Sequence, residues 1–306
     1  MTDQSTRAGF VALIGEPNAG KSTLLNRMVG AKVSIVTHKV QTTRARVRGV
    51  AMAGASQLIF VDTPGLFHPK RRLDRAMVAA AWTGAADADV VVLLIEATRG
   101  LTEGVEAILT ALEDKRGAGQ PVLLAINKID RVKAETLLAL TEKMNARYAF
   151  DGTFLISAER GHGVEDLRAD LAARVPVGPW LYPEDQIADL PLRTIAAEIT
   201  REKLTLRLHQ ELPYQLTVET EKWEDRPDGS VRIDQLIYVV RDGHKGIVLG
   251  RKGETTKAVG QAARADMEAF LGQRVHLFLQ VKVRPGWMDD AERFDAMGLD
   301  FKDGNA

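Results

Sequence analysis

Five runs of apolar residues stand out in the first part of the chain: FVALIG from residue 10, SQLIFVD from 56, DVVVLLIE from 89, PVLLAINK from 121 and GTFLIS from 152. None alternates with polar residues, which is the pattern of strands buried on both faces. Between them, apolar positions recur at helical spacing near residues 21–29, 72–83, 102–113, 134–147 and 164–174. Strand and helix in alternation predict a parallel sheet wrapped by helices over residues 10–175. In open sheets of this kind ligands gather beyond the carboxyl ends of the strands. The polar motifs of this half all fall at such ends.

The pattern then changes. Pro176, Pro179, Pro183 and Pro191 interrupt both periodicities, so residues 176–192 read as a linker, with Trp180, Leu181 and Tyr182 predicted to pack onto a domain. Pro191 suits the first turn of a helix carrying Ile195, Ile199 and Leu206 and ending near Leu212. Two strands follow, YQLTVETEKW and VRIDQLIYVV, joined by a turn at Pro227-Asp228-Gly229. The segment GHKGIVLGRKGETTK, a helix to about residue 271 and a strand VHLFLQVKV complete an α+β domain over residues 193–288, and 289–306 form a tail. At 306 residues, two domains are the expected organisation.

Composition narrows the function. Zero cysteines exclude disulfides, thiolate metal sites and cysteine nucleophiles. The N-terminus lacks the charged and apolar regions of a signal peptide, and no run approaches the roughly 18 apolar residues of a membrane span, so a soluble, cytoplasmic protein is expected. Basic and acidic residues balance at 41 each, and any binding of nucleic acid must come from local patches. Lys32, Lys39, Arg44, Arg46 and Arg48 make one, without an acid among them. Arg241, Lys245, Arg251, Lys252 and Lys257 make another, opposed by Asp242 and Glu254. The tail carries Asp289, Asp290, Glu292, Asp295, Asp300 and Asp303 against Arg293 and Lys302, a run that reads as solvated surface.

The chemistry lies in loops. Residues 15–22, GEPNAGKS, follow a strand and open a helix, the setting a phosphate loop requires. Asn18, Ala19 and Gly20 would curl their backbone around phosphates, with Ser22 and Thr23 at the helix start. Lys21 would reach the β- and γ-phosphates and the Ser22 hydroxyl would ligate Mg2+. Asp62-Thr63-Pro64-Gly65 follows the second run: Asp62 would hold the metal, through water, and the Gly65 amide would sense the γ-phosphate. Asn127-Lys128-Ile129-Asp130 selects the base, because the Asp130 carboxylate can accept from guanine N1 and N2 whereas adenine lacks that edge. Lys128 would lie along the ring, and Ser157-Ala158 would place an amide at guanine O6. Four motifs in this order predict GTP and GDP as ligands and GTP hydrolysis as the reaction.

In the second domain, helix, strand, strand, short helix, Gly-x-x-Gly, helix and strand match the order of a type II KH domain. Gly250 and Gly253 would let an RNA backbone lie against the loop, Arg251 and Lys252 would face its phosphates, and Ile247, Val248 and Leu249 would form an apolar platform under unstacked bases. Trp223, His244, His276 and Phe278 are candidates for stacking, though such residues more commonly pack in sheets. His162 reads as a turn residue, and six scattered histidines offer no metal set.

Residues 10–175 resemble a translation-factor-class P-loop GTPase. With QTTR, DTPG, NKID, SAERG, LYPEDQ and IVLGRKG in order over residues 8–288, the chain resembles the Era family of bacterial GTPases. The resemblance implies a ribosome-assembly factor that binds the 3′ end of 16S ribosomal RNA, acts in maturation of the small subunit, works as a monomer and associates peripherally with the inner membrane. It also implies that a threonine, Thr43 by the family pattern with Thr42 as the alternative, closes over Mg2+, so that Lys21, Thr43 and Gly65 serve catalysis. Leu66 stands where Ras-like proteins carry a water-positioning glutamine, which predicts slow hydrolysis without a further group, ion or partner. Asn18 resembles the asparagine that coordinates K+ in related GTPases, and equally fits a loop-shaping role. Nothing carries onto the tail from residue 289. A tRNA-modifying GTPase would need a cofactor or cysteine site that this chain lacks; an RNA scaffold with little turnover and a membrane-associated switch remain as other classes.

Overall fold

The computed structural model describes residues 6–37, 47–63, 65–66, 69, 72–115, 119–209, 211–291, 294 and 299–303. Chain contacts divide it into two compact units: the first runs to Asp189 and takes in residues 299–303, and the second runs from Leu190 and takes in residues 35–37.

The first unit is a six-stranded sheet in the order β2-β3-β1-β4-β5-β6. Strands β1 (Arg7–Ile14), β3 (Ser56–Asp62), β4 (Val90–Glu96), β5 (Val122–Asn127) and β6 (Gly152–Leu155) are parallel, and β2 (Val47–Ala53) pairs antiparallel with β3 at one edge. Strands β3 and β5 are buried at every position, as their unbroken apolar runs require. Helices α1 (Lys21–Val29), α2 (Arg72–Ala86), α3 (Glu103–Lys115), α4 (Ala134–Arg147) and α5 (Val164–Arg174) cover the sheet. One core gathers β4, β5 and the apolar stripe of α3, Val105, Ile108, Leu109 and Leu112.

Strand β2 is a sixth strand that hydrophobic runs do not announce. Its sequence, VRGVAMA, is interrupted by Arg48 and Gly49. The interruption has a packing reason: a Cβ on Gly49 would stand 2.6 Å from Leu25 and 2.7 Å from Val29, so the glycine lets α1 lie close against the sheet.

Up to Asp189 the proline-rich segment is laid along this unit. Val50 N donates to Ile187 O and Asp189 N to Arg48 O, covering the edge of β2. Trp180 Nε1 donates to Ala55 O. Gln57, fully buried, is the anchor: its Oε1 accepts from the amides of Leu181 (2.8 Å) and Tyr182 (3.0 Å), and its Nε2 donates to Tyr182 O (2.8 Å). Of the three residues expected to pack, Leu181 instead leaves half of its surface exposed.

The second unit has α6 (Leu192–Arg207), β7 (Leu216–Asp225), β8 (Val231–Val239), α7 (Asp242–Leu249), α8 (Glu254–Leu271) and β9 (Val275–Val283). Strand β8 is central, antiparallel to β7 and parallel to β9. Helix α6 stops at Arg207, five residues before the expected Leu212, and residues 212–215 form a 3-10 turn. Pro213 explains the difference, since it disfavours helix at the residue before it and would clash with the carbonyl four residues back. The tail from residue 289 is less solvated than its acids predict: Phe294 and Leu299 are buried, and in the first unit the Arg72 guanidinium lies 3.6 Å from the Phe301 ring centroid.

Replacing Gln57 with alanine should strip three backbone groups of their partner, lowering the stability of the first unit by roughly 2–3 kcal/mol. Urea denaturation checks this, and proteolytic cleavage should move into residues 176–189.

Candidate nucleotide and RNA sites

The loop between β1 and α1 is shaped by its neighbours. Gly20 has φ 103°, and a Cβ there would stand 2.2 Å from Asn127 Nδ2, so only glycine admits the close approach of β5. Asn127 is 2 % exposed; its Nδ2 donates to Ala19 O (2.8 Å) and its Oδ1 accepts from Ala158 N (2.9 Å). One amide therefore joins the phosphate loop, the base-selecting loop and the Ser157 loop. Asn18 also takes a left-handed conformation, φ 67°.

Lys21 is buried in this loop, and its Nζ donates to Gly15 O and Glu16 O, both at 3.0 Å. Burial pushes its pKa down from 10.5 to about 8, with the charges of Asp62 and Glu16 opposing the fall. Such an ammonium is poised for an anion. Ser22 Oγ donates to Asp62 Oδ2 at 2.8 Å, and so does Ser34 Oγ. A hydroxyl and a carboxylate converging in a buried corner are hard oxygen donors that fit Mg2+. Gly65 packs on Pro17, where a Cβ would meet backbone at 2.9 Å, and the next amide, Leu66 N, donates to Gly15 O. Leu66 is buried, as an apolar residue there must be. Thr23 lies on α1 beside Ser22. Thr42, Thr43, Pro64 and the basic residues Lys39, Arg44 and Arg46 lie outside the described residues.

At the other side of the loop, the Ser157 hydroxyl hydrogen-bonds the Asp130 carboxylate and, with Arg160 at 3.5 Å, holds its pKa below the usual range. The group stays ionised and accepts only, as guanine N1 and N2 require. Lys128, at φ 63°, pairs with Glu96 at 2.8 Å. Of the Ser157-Ala158 pair, expected to place an amide at guanine O6, the Ala158 amide donates to Asn127 Oδ1. Arg27 of α1 donates to the carbonyls of Ala158 and Glu159, bracing the same loop. His162 takes part through its carbonyl, which accepts from Ser157 N at 2.9 Å.

Several contributors carried no signal in sequence. Ser34 belongs to no motif, and Glu16 is an unspecified position of the phosphate loop. Yet Glu16 accepts from Thr102 Oγ1 (2.9 Å) and pairs with Arg99 (3.4 Å), tying the loop to the start of α3.

In the second unit, α7 ends at Gly250, φ 72° and ψ 176°, a conformation open to glycine alone. A Cβ there would stand 2.2 Å from Thr255 Oγ1. Arg251 and Lys252 are exposed on the turn to α8, and Gly253 has φ 80° with open space around it. The expected apolar platform is reduced to one residue. Val248 is fully buried in the core and Leu249 packs against that core, because consecutive helix positions point in different directions; Ile247 alone is exposed. Trp223 packs against a core cluster that includes Ile199, Ile233 and Met267, and His244 is buried, whereas Phe278 is half exposed beside Arg232.

A family model described as a 50S ribosome-binding GTPase matches residues 10–128, and a KH-domain model matches residues 211–288. GTPase Era of Dinoroseobacter shibae is 75 % identical over 301 residues, 98 % of each chain. The chain belongs to the Era GTPase family. Two solved Era structures agree in fold at 37 % identity, each covering 96 % of this chain and 99 % of its own: an Aquifex aeolicus variant bound to GDP·AlF4−, with TM-score 0.90, and a complex with MgGDPNP and nucleotides 1506–1542 of 16S ribosomal RNA, with TM-score 0.89. As a member of this family the protein is a GTPase, releasing GDP and phosphate, with a P-loop domain followed by a KH domain.

The depressed pKa of Lys21 has a measurable consequence. In the folded nucleotide-free protein the charged form carries its full burial penalty below pH about 8; the penalty fades as pH rises towards 10.5 and vanishes above it. Lys21→Met should therefore abolish nucleotide binding yet raise thermal stability at neutral pH, by up to about 3 kcal/mol. Melting curves at rising pH should show the two proteins converge.

Proposed function

We propose that the protein binds the 3′-terminal region of 16S ribosomal RNA through its KH domain and couples GTP binding and hydrolysis to assembly and maturation of the small ribosomal subunit. The observation that carries the reading is the loop from Gly250 to Gly253, which turns Arg251 and Lys252 outwards between two helices. A relative of 37 % identity has been solved with that RNA and MgGDPNP together.

In this reading, Lys21 and the amides of the phosphate loop hold the phosphates of GTP, and Asp130 selects guanine. Ser22 and, through water, Asp62 would hold Mg2+, and Thr43 or Thr42 would close over it in the triphosphate state. Bound Mg2+ supplies charge neutralisation at the phosphates. Leu66 offers no hydrogen bond to the attacking water, so turnover is slow until an ion or partner completes the site. We assign that role to K+ at Asn18. Hydrolysis then releases the RNA.

Gly253→Asp should leave GTP affinity within about twofold while weakening RNA binding roughly 10-fold or more, because it sets a carboxylate against phosphates. Gly253→Ala, with the same backbone cost and no charge, should lose less. Equal RNA affinity for Gly253→Asp and wild type, by fluorescence anisotropy, would sink the proposal. Steady-state hydrolysis should be faster in K+ than in Na+, and Asn18→Ala should erase that difference.

A further inference from the structure

A cavity of about 600 Å3 opens in the second unit between the end of α6, the turn that follows it, α7 and the start of α8. It borders the Gly250 loop through Ile247 and Thr255, and Leu208 and Leu212 add apolar wall. Arg241 and His244 also line it, and neither belongs to the glycine loop.

These two residues form a pair with defined polarity. Arg241 Nε donates to His244 Nε2 at 2.8 Å. A ring nitrogen that accepts carries no hydrogen, so this bond requires a neutral His244 with its proton on Nδ1, which is buried without a hydrogen-bond partner among the described residues. The ring is 6 % exposed; burial, and then the Arg241 charge, lower its pKa, which keeps the acceptor available at neutral pH. Arg241 itself is exposed at the N-cap of α7, and its terminal nitrogens make no other hydrogen bond among the described residues.

We propose that Arg241, oriented by His244, reads the acceptor edge of an RNA base seated in this cavity against Ile247. The inference rests on the RNA-binding reading above and adds a specificity-determining residue to it. A guanidinium with Nε occupied still presents two donors in a fixed fork, which matches paired acceptors such as guanine O6 and N7. A phosphate would satisfy the same fork, but the walls contributed by Leu208, Leu212 and Ile247 suit a planar base and would desolvate a phosphate without compensation. His244 is a positioning residue: its lone pair sets the rotation of the guanidinium and makes no contact with RNA.

Protonating His244 removes the acceptor and places two cations together. The Arg241 charge opposes that protonation, and Arg207 and Glu211 line the same cavity with opposite charges. The pair thus makes base discrimination fall as pH falls.

The test is fluorescence anisotropy of the full chain with RNA corresponding to nucleotides 1506–1542 of 16S ribosomal RNA, together with versions carrying single guanine-to-adenine changes. For wild type, one such change should weaken binding roughly 10-fold or more, the value of a bidentate contact. Arg241→Lys should lose a similar factor on the unchanged RNA and become indifferent to that one replacement. His244→Gln, whose side-chain oxygen accepts from Nε without titrating, should match wild type at about pH 7.5 and hold its affinity at about pH 5.5, where wild type weakens. An unaltered melting curve of the full chain in each variant reports that the second unit is intact.

Discrimination retained by Arg241→Lys would overturn the inference, as would a uniform loss across all RNAs, which would place the arginine on a phosphate. A pH response that persists in His244→Gln would remove His244 from the role. Wild type that binds none of these RNAs would remove the RNA reading itself, and this inference with it.

Discussion

The nucleotide site depends on the buried side-chain amide of Asn127. It donates to the phosphate loop at Ala19 and accepts from the base loop at Ala158, so both ends of the nucleotide site are set by one planar group at the tip of β5. A buried amide left half satisfied would cost more than the bond it lost, which locks the loops in register with the sheet. Gly20 is the complement of this constraint. Any side chain there would collide with the Asn127 nitrogen, and the loop would have to leave the strand that anchors it.

Around that anchor the site stores unfavourable electrostatics in the form of Lys21. An ammonium in a buried loop, donating to two carbonyls, has lost much of its hydration before any ligand arrives. A triphosphate would offer it a counter-charge in a place where water competes weakly. Ser22, Ser34 and Asp62 repeat the arrangement with opposite sign, gathering oxygen atoms where a cation belongs. Stability of the nucleotide-free protein and affinity for nucleotide are therefore opposed at Lys21.

The second unit uses backbone conformation where the first uses buried polarity. Gly250 and Gly253 both need positive φ, but for different reasons. The first has Thr255 against it and cannot accept a Cβ, whereas the second has room and is constrained by conformation alone. The turn between them exposes two basic side chains without burying either. Arg241 and His244 lie a helix length away from that turn, at the opposite end of α7, and extend the polar surface along the cavity.

What was legible in the chain was whatever depends on local order: strands of unbroken apolar residues, the glycines and charged residues of phosphate and base loops, and the helix ends at 134–147 and 164–174. Those features report themselves because their spacing reflects backbone periodicity or φ/ψ needs of single residues. Strand β2 was not legible, since its small residues answer to the packing of α1 rather than to its own period. Nor were Ser34 and Glu16, which act through partners 28 and 86 residues away. The sequence by itself determined the family and the two architectures. Tertiary structure decided which of Ile247, Val248 and Leu249 meets solvent, which amide Asn127 engages and what holds Arg241, because burial and long-range hydrogen bonds exist only once distant segments are brought together.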